Sequence, residues 1–180
     1  MTTTIEFGKR INKRPIIVSF LVSFLAGALG LLVNLNLGIS LFLLCLFLLL
    51  FVYYPINLPK LFSHWQLEKH GISYYKMDNY LDKLKMIFLP QQADFQFISY
   101  SQIKAFSIQE EAQNYTLKNI LTIKPAKQSP FPWLRKPFFL ELELNHATTK
   151  LDLSYDQLHD PKNTMFKVSN ALDFLSKHID

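Results

Sequence analysis

The sequence predicts an α+β membrane protein, in which a hairpin of two transmembrane helices precedes a small domain of about seven antiparallel strands and one C-terminal helix. The 45 residues from Pro15 to Pro59 contain no Asp, Glu, Lys, Arg or His, whereas the rest of the chain is about as charged as an ordinary soluble protein. Short segments with strand-like alternation follow Lys60, and an amphipathic helical pattern closes the chain. These observations exclude both a fully soluble globule and a disordered chain.

Two apolar runs, Ile16–Val33 and Gly38–Tyr54, are separated by a short segment that contains Asn34 and Asn36. At about 1.5 Å per helical residue each run is roughly 26 Å long, close to the thickness of the hydrocarbon core of a bilayer. A single helix through both runs would place two Asn side chains at its middle, where amides without partners are costly. The sequence therefore predicts a transmembrane helical hairpin in residues 15–55, with its turn at the two asparagines.

The charges at the ends of the hairpin predict its orientation. Residues 1–14 form a basic segment with Lys9, Arg10, Lys13 and Arg14, and Lys60 follows the second span. Under the positive-inside rule both ends of the hairpin, and both termini of the chain, are cytoplasmic. A cleaved secretory signal ending near residues 26–28 is the alternative, but the apolar run continues beyond it. The one cysteine, Cys45, lies in the second span, so a disulfide framework is excluded.

Small residues form one face of the first predicted helix. Ser19, Ser23 and Gly27 recur every four residues, with Ala26 and Gly30 beside them. Such a face lets a second helix approach closely. The partner is either the second span, which we favour, or another membrane protein or a second copy of the chain. Neither span contains an ionisable residue or a proline, which disfavours a two-span transporter that works alone.

Residues 56–180 are predicted to form one cytoplasmic domain. His64–Lys69 and Ile72–Met77 flank the turn at Gly71 and form a predicted hairpin. Further strands are predicted at Phe95–Ile98, Ile103–Ile108, Leu117–Ile123, Phe138–Leu144 and Lys150–Ser154, whereas Leu84–Leu89 fits a strand or a helix. The final element is an amphipathic helix over residues 161–179, which Asp160 caps and Pro161 begins.

Three segments carry a resemblance to a known family. They are Trp65–Tyr75 (WQLEKHGISYY), Ile98–Ile108 (ISYSQIKAFSI) and Ala171–Ile179 (ALDFLSKHI). In this order, after a two-span hairpin, they resemble small bacterial membrane proteins that carry a pleckstrin-homology-like domain. The resemblance implies a domain of about seven strands closed by one helix, at the cytoplasmic face of the bacterial cell membrane. The long Pro-rich segment after Ile123 departs from the plain pattern.

The residues that usually carry chemistry are mostly absent from the sequence. Gly71 is the only glycine after Lys60, so glycine-rich phosphate loops, nucleotide fingerprints and a serine nucleophile elbow are missing. The five histidines lack a paired metal-ligand spacing. No convincing acid and base pair is found among three groups of acidic residues. They are the series Asp152, Asp156 and Asp160, the pair Glu141 and Glu143, and the pair Glu110 and Glu111 in a predicted polar turn. We therefore predict no catalytic residue, metal site, cofactor or nucleotide.

The most informative polar stretch is residues 124–137, KPAKQSPFPWLRKP. Its four prolines predict an extended loop between two strands. The candidate membrane or partner contacts in it are Lys124, Lys127, Phe131, Trp133, Leu134, Arg135 and Lys136. Aromatic side chains beside cations suit anionic lipid or an acidic groove on a protein partner, unless Phe131 and Trp133 fold back onto the core. Nucleic acid is disfavoured, because the chain from Lys60 onward has a net charge of only +2.

These observations favour a non-enzymatic membrane protein whose cytoplasmic domain binds a protein or membrane lipid, as a scaffold or a regulator. The alternatives are an accessory or immunity-type subunit of a membrane transport or envelope-stress system, which docks through the small-residue face, and a membrane enzyme whose residues only the fold brings together.

Overall fold

A computed structural model describes residues 4–110, 113–115, 125–145 and 147–179. The chain divides into two compact units. The helical unit contains Ile11–Leu58 and Lys76–Asp94. The β unit contains the residues up to Arg10, Pro59–Tyr75 and the residues from Phe95 onward. Each unit is therefore assembled from segments that are distant in the sequence.

Two long helices form most of the helical unit. Helix α1 spans Arg14–Leu31 and helix α2 spans Leu35–Leu61, and both are long and apolar enough to cross a membrane. The side chain of Asn34 accepts a hydrogen bond from the Leu37 N–H at 2.8 Å and caps α2. The predicted pair of helices and the turn between them are thus present.

The sequence predicted that the second helix ends near Pro55. In the structure helix α2 continues to Leu61. Its segment Leu48–Tyr53 is a π-helix, and the α-helical pattern resumes at Tyr54. Pro55 has no N–H, so it donates no hydrogen bond to the carbonyls of the preceding turn. The helix continues past this proline, and the Phe51 carbonyl in the preceding turn accepts a hydrogen bond from the hydroxyl of Tyr80 at 2.7 Å.

Tyr80 begins helix α3, which spans Tyr80–Phe88 and also belongs to the helical unit. The segment that the sequence left open between strand and helix is therefore helical. Asp82 lies in the first turn and accepts a hydrogen bond from the Asn79 N–H at 3.4 Å, which helps to begin the helix.

The described part of the β unit contains eight strands. They are β1 Ile5–Phe7, β2 Trp65–Leu67, β3 Gly71–Tyr75, β4 Phe95–Ser99, β5 Ile103–Glu110, β6 Gln113–Tyr115, β7 Phe138–Leu144 and β8 Thr148–Asp152. They form two antiparallel sheets with the orders β1-β2-β3-β4 and β6-β5-β7-β8. The predicted strand at Leu117–Ile123 lies outside the described residues.

Strand β1 corrects the prediction for residues 1–14, which treated them only as a basic segment. Ile5 pairs with Leu67 and Phe7 pairs with Trp65, so the chain before α1 joins the sheet that begins after α2. The alternation of Ile5 and Phe7 around Glu6 is the strand signal that the sequence analysis missed. The pairing places the chain before α1 and the chain after α2 in one folded unit.

Two helices complete the β unit. Helix α4 spans Ser154–His159, so the predicted strand over Lys150–Ser154 ends at Asp152 instead. Helix α5 spans Pro161–Ser176, and the Asp160 side chain accepts from the Asn163 N–H, as an N-cap should. The core combines both sheets with α5 and includes Phe7, Trp65, Ile72, Ile98, Ile108, Leu140, Leu142, Leu151, Val168, Leu172 and Leu175.

Candidate membrane contact loop

The Pro-rich segment forms a braced loop that leads into β7, and residues 125–137 of this loop are described. At its beginning, Glu110 accepts a hydrogen bond from the Ala126 N–H at 2.5 Å. The sequence predicted a polar turn at Glu110, but Glu110 is buried at the last position of β5. A carboxylate that accepts a backbone N–H is well suited to hold a segment that prolines keep out of the sheet.

Two hydrogen bonds close the loop at its base. The Gln128 side-chain oxygen accepts from the Lys136 N–H at 3.1 Å, and the Ser129 carbonyl accepts from Arg135 Nε at 3.2 Å. Gln128 is only 4% exposed, so this closure lies inside the unit. The ends of the loop are therefore held together, as in a compact Ω-loop.

Arg135 ties the loop to the end of helix α2. Its guanidinium Nη1 donates to the carbonyl of Lys60, and the same group lies 6.0 Å from the centre of the Tyr155 ring. Arg135 is 7% exposed, which corrects the prediction that it is one of the cations available for an outside contact. An arginine suits this position because its fork of N–H groups can satisfy more than one carbonyl at once.

The tip of the loop is apolar and faces outward. A single 3₁₀ turn over Pro132–Leu134 presents Phe131, Trp133 and Leu134, which are 54%, 54% and 61% exposed. The rings of Phe131 and Trp133 lie 5.1 Å apart. These side chains do not fold back onto the core, so that alternative is wrong. We call Phe131, Trp133 and Leu134 the apolar tip.

The predicted cations of the loop fall into three classes. Lys127 and Lys136 are exposed on either side of the apolar tip, and Arg135 is buried as described. Lys124 lies outside the described residues. The structure thus brings together an apolar tip and two exposed lysines, which is the composition that suits the polar boundary of a bilayer.

A second polar cluster fastens strand β1. The Gly8 N–H donates to the Asp156 carboxylate at 2.6 Å, and Lys167 donates to the same carboxylate at 2.9 Å. His64 Nδ1 lies 3.1 Å from the Phe7 carbonyl. Burial lowers the pKa of His64, so the ring is neutral and Nδ1–H donates to that carbonyl.

Asp152 supports the neighbouring turn. Its carboxylate accepts hydrogen bonds from the hydroxyls of Ser63 at 2.9 Å and Ser154 at 2.7 Å, while its own carbonyl accepts from the Trp65 indole at 3.0 Å. Burial raises the pKa of this carboxyl group. Asp156 binds Gly8 and Lys167, and Asp160 caps α5. All three aspartates at four-residue spacing therefore hold hydrogen bonds that support the fold.

A cleft of about 480 Å³ lies between the sheet edge and α5, and its lining includes Glu68, Asp173, Lys177 and His178. The lining mixes both signs of charge, so it offers no single-sign site for a ligand. Glu68 in this lining also accepts, through its carbonyl, a hydrogen bond from the Tyr100 hydroxyl at 2.6 Å, and burial raises the pKa of Tyr100 to about 12.

Within the described ranges, no three His, Cys, Asp or Glu side chains are grouped so that they could hold a metal ion. His64 lies in the core, His159 stacks on Tyr155 at 4.0 Å, and His178 stacks on Phe174 at 4.3 Å.

The small-residue face of α1 packs inside the helical unit. Ser19, Ser23, Gly27 and Gly30 are buried, whereas Ala26 is partly exposed. A Cβ added at Gly30 would lie 2.7 Å from the Gly38 Cα, and one added at Gly27 would lie 3.0 Å from the Phe42 Cβ. This face therefore contacts α2, which is the interpretation that the sequence analysis favoured.

Comparison of the chain with protein-family models, curated proteins and solved structures gave no match.

Proposed function

We propose that the chain is a non-enzymatic, two-span protein of the bacterial cell membrane that presents a pleckstrin-homology-like domain to the cytoplasm. In this proposal the β unit is a scaffold or regulator, and its apolar tip holds it against membrane lipid. The order of strands followed by a closing helix supports the likeness in fold. The structural roles of Asp152, Asp156 and Asp160 support the non-enzymatic assignment.

The exposure of the two long helices supports membrane insertion. In their most apolar windows only 28% of the α1 residues and 11% of the α2 residues are buried. The core helix of a soluble protein buries its apolar side chains, because each one exposed to water forgoes about 1.5–3 kcal/mol. Helices this apolar and this exposed are stable only if lipid surrounds them.

The pairing of β1 with β2 supports a hairpin that enters and leaves the bilayer on the same side. Ile5 and Leu67 are partners in one sheet, and both helices lie between them in the sequence. A ladder of backbone hydrogen bonds cannot form across a bilayer, so the chain must cross the membrane an even number of times between these residues. The basic residues around Arg10 favour the cytoplasmic side.

One observation carries the assignment of the loop to lipid: the apolar tip is exposed while its base is bonded to the Lys60 carbonyl. Lys60 follows Tyr54 by six residues in one helix, which corresponds to about 9 Å along the axis. If Tyr54 marks the edge of the hydrocarbon, Lys60 lies in the headgroup layer. In this proposal the apolar tip contacts the acyl boundary, and the exposed Lys127 and Lys136 contact anionic headgroups.

The chain contains only two tryptophans, which allows a direct test. Trp65 is 1% exposed and stacks on Phe7, whereas Trp133 belongs to the apolar tip. The full chain and its Trp133→Phe variant should be compared in nanodiscs made from ordinary lipid and from lipid with brominated chains. The difference between the two proteins isolates the fluorescence of Trp133.

We expect brominated lipid to quench the Trp133 component and to leave the Trp65 component unchanged. Equal emission of Trp133 in both kinds of nanodisc would contradict the contact with lipid. The apolar tip would then be expected to bind in a groove on a protein partner. The small-residue face is used against α2, so an accessory subunit would have to dock through another surface.

A further inference from the structure

Helix α3 has two apolar faces, of which only one is covered. Met86 and Ile87 are 1% and 0% exposed. On the opposite side Leu81 and Phe88, seven residues apart and therefore on one stripe, are 74% and 41% exposed. Leu89, just after the helix, is 49% exposed. A helix that only covered a protein core would need the first face alone.

The contacts of α3 with α2 place it at a defined depth. The Tyr80 hydroxyl donates to the Phe51 carbonyl, and the rings of Phe51 and Phe88 lie 5.8 Å apart. Both ends of α3 therefore contact the same residue of α2. Phe51 precedes Tyr54 by three residues, or about 4.5 Å along the helix axis, so it lies inside the apolar run.

Pro55 lies in the turn that follows this contact. Because proline has no N–H, the helix has one donor fewer here, and a carbonyl without a donor is costly in hydrocarbon. Tyr80 supplies a donor from outside the helix. Tyrosine suits the boundary between lipid and water, because its ring is apolar and its hydroxyl can still bond.

We infer that α3 is a membrane-surface helix, which lies at the cytoplasmic boundary of the bilayer with Leu81, Phe88 and Leu89 in the lipid. The charge pattern agrees with this placement. Lys85, on the edge beside the exposed stripe, is paired with Asp94 at 2.7 Å, and Asp82 lies on the same polar side. An amphipathic helix of this kind places its apolar face among the acyl chains and its charges in the headgroup layer.

The consequence is a second lipid contact, built from residues that the sequence analysis did not single out. The segment Lys76–Asp94 leaves the β unit between β3 and β4 and joins the helical unit. The chain is thus attached to the membrane by two spans and one surface helix. This inference rests on the proposed membrane insertion of α1 and α2, and the experiment below distinguishes the two.

Spin labels at single cysteines measure the depth of each site. In a Cys45→Ser background, labels are placed at Leu81→Cys on the exposed stripe, Leu44→Cys in α2 and Lys162→Cys on α5. All three positions are exposed in their own units, so the labels leave the packing intact. Collision rates with oxygen, which concentrates in lipid, and with a water-soluble nickel chelate are measured on the full chain in nanodiscs.

We expect the ratio of oxygen to nickel collisions to be severalfold higher at Leu81 than at Lys162, and highest at Leu44. A Leu81 ratio equal to that at Lys162, with a high ratio at Leu44, would overturn the surface-helix inference while membrane insertion stands. Low ratios at all three sites would overturn the membrane insertion of α2, and the surface-helix inference with it.

Discussion

The rings of Phe7 and Trp65 stack face to face with their centres 4.2 Å apart, although the two transmembrane-type helices lie between them in the sequence. Both side chains are 1% exposed, and Lys167 approaches the Phe7 ring at 4.4 Å. The first strand of the β unit therefore comes from the chain segment that precedes α1. A fragment that starts after α2 would lack Phe7 and would expose one face of Trp65.

Replacing Phe7 with alanine should destabilise the β unit strongly. The change removes the stack on Trp65 and leaves a cavity in the core, so we expect a loss of about 3–5 kcal/mol in the free energy of unfolding. Denaturant unfolding in detergent measures it, followed through Trp65 fluorescence in a full chain that also carries Trp133→Phe. Phe166→Ala is the matched control, because Phe166 is 69% exposed and its loss should change stability little. Equal effects of the two changes would contradict the proposed role of β1.

The stability of the β unit should fall as the pH drops below about 6.5. Burial lowers the folded pKa of His64 from its ordinary value of 6.5, so below that value the unfolded state binds more protons and acid favours it. The stabilisation is complete above pH 6.5 and is lost as the pH falls through the folded pKa. Arg10 also lowers the pKa of His64, whereas Glu6 and Asp156 raise it.

The His64→Asn variant isolates this effect, because the Asn amide can still donate to the Phe7 carbonyl but does not titrate. We expect the wild-type chain to lose more stability than the variant between pH 7.5 and pH 5.5 in thermal unfolding. Asp152, whose raised pKa acts in the opposite direction, is present in both proteins and cancels in the comparison. Parallel pH profiles would show that His64 does not titrate as its burial implies.

Replacing Gly30 with leucine should disrupt the packing of α1 against α2. The new side chain would collide with the backbone of Gly38, so we expect a cost of about 1–3 kcal/mol or more. The thermal unfolding of the helices in detergent, followed by circular dichroism, measures it. Ala28→Leu is the control, because Ala28 is exposed on the same helix. If Ala28→Leu were the more damaging change, the helix face would be misassigned.

Replacing Arg135 with alanine should loosen the Pro-rich loop without unfolding the β unit. The carbonyls of Ser129 and Lys60 would each lose a donor, so the base of the loop would open more often. We expect chymotrypsin to cleave after Trp133 several times faster, as measured by mass spectrometry. Lys136→Ala is the control, because Lys136 donates to Gln128 through its backbone N–H, which the substitution keeps. Equal cleavage rates for both variants would show that Arg135 does not brace the loop.

The Pro-rich loop shows which exposed residues can be predicted from residue types alone. Composition identified Phe131 and Trp133 as candidates, and their exposure agrees with that choice. Composition also grouped Arg135 with the lysines, because a sequence does not show which cation meets a carbonyl from a distant segment. Only the approach of Lys60, 75 positions away, determines that Arg135 is buried while Lys136 remains exposed.

The sequence by itself determined the features that depend on neighbouring residues. The uncharged interval from Pro15 to Pro59 predicts the two apolar helices, alternation predicts β7, and Asp160 with Pro161 predicts the start of α5, because burial and capping act over a few residues. The tertiary structure alone decided that Phe7 joins Trp65 and that Tyr80 meets Phe51. These contacts join segments separated by dozens of residues, so the patterns of neighbouring residues from which the sequence was interpreted do not show them.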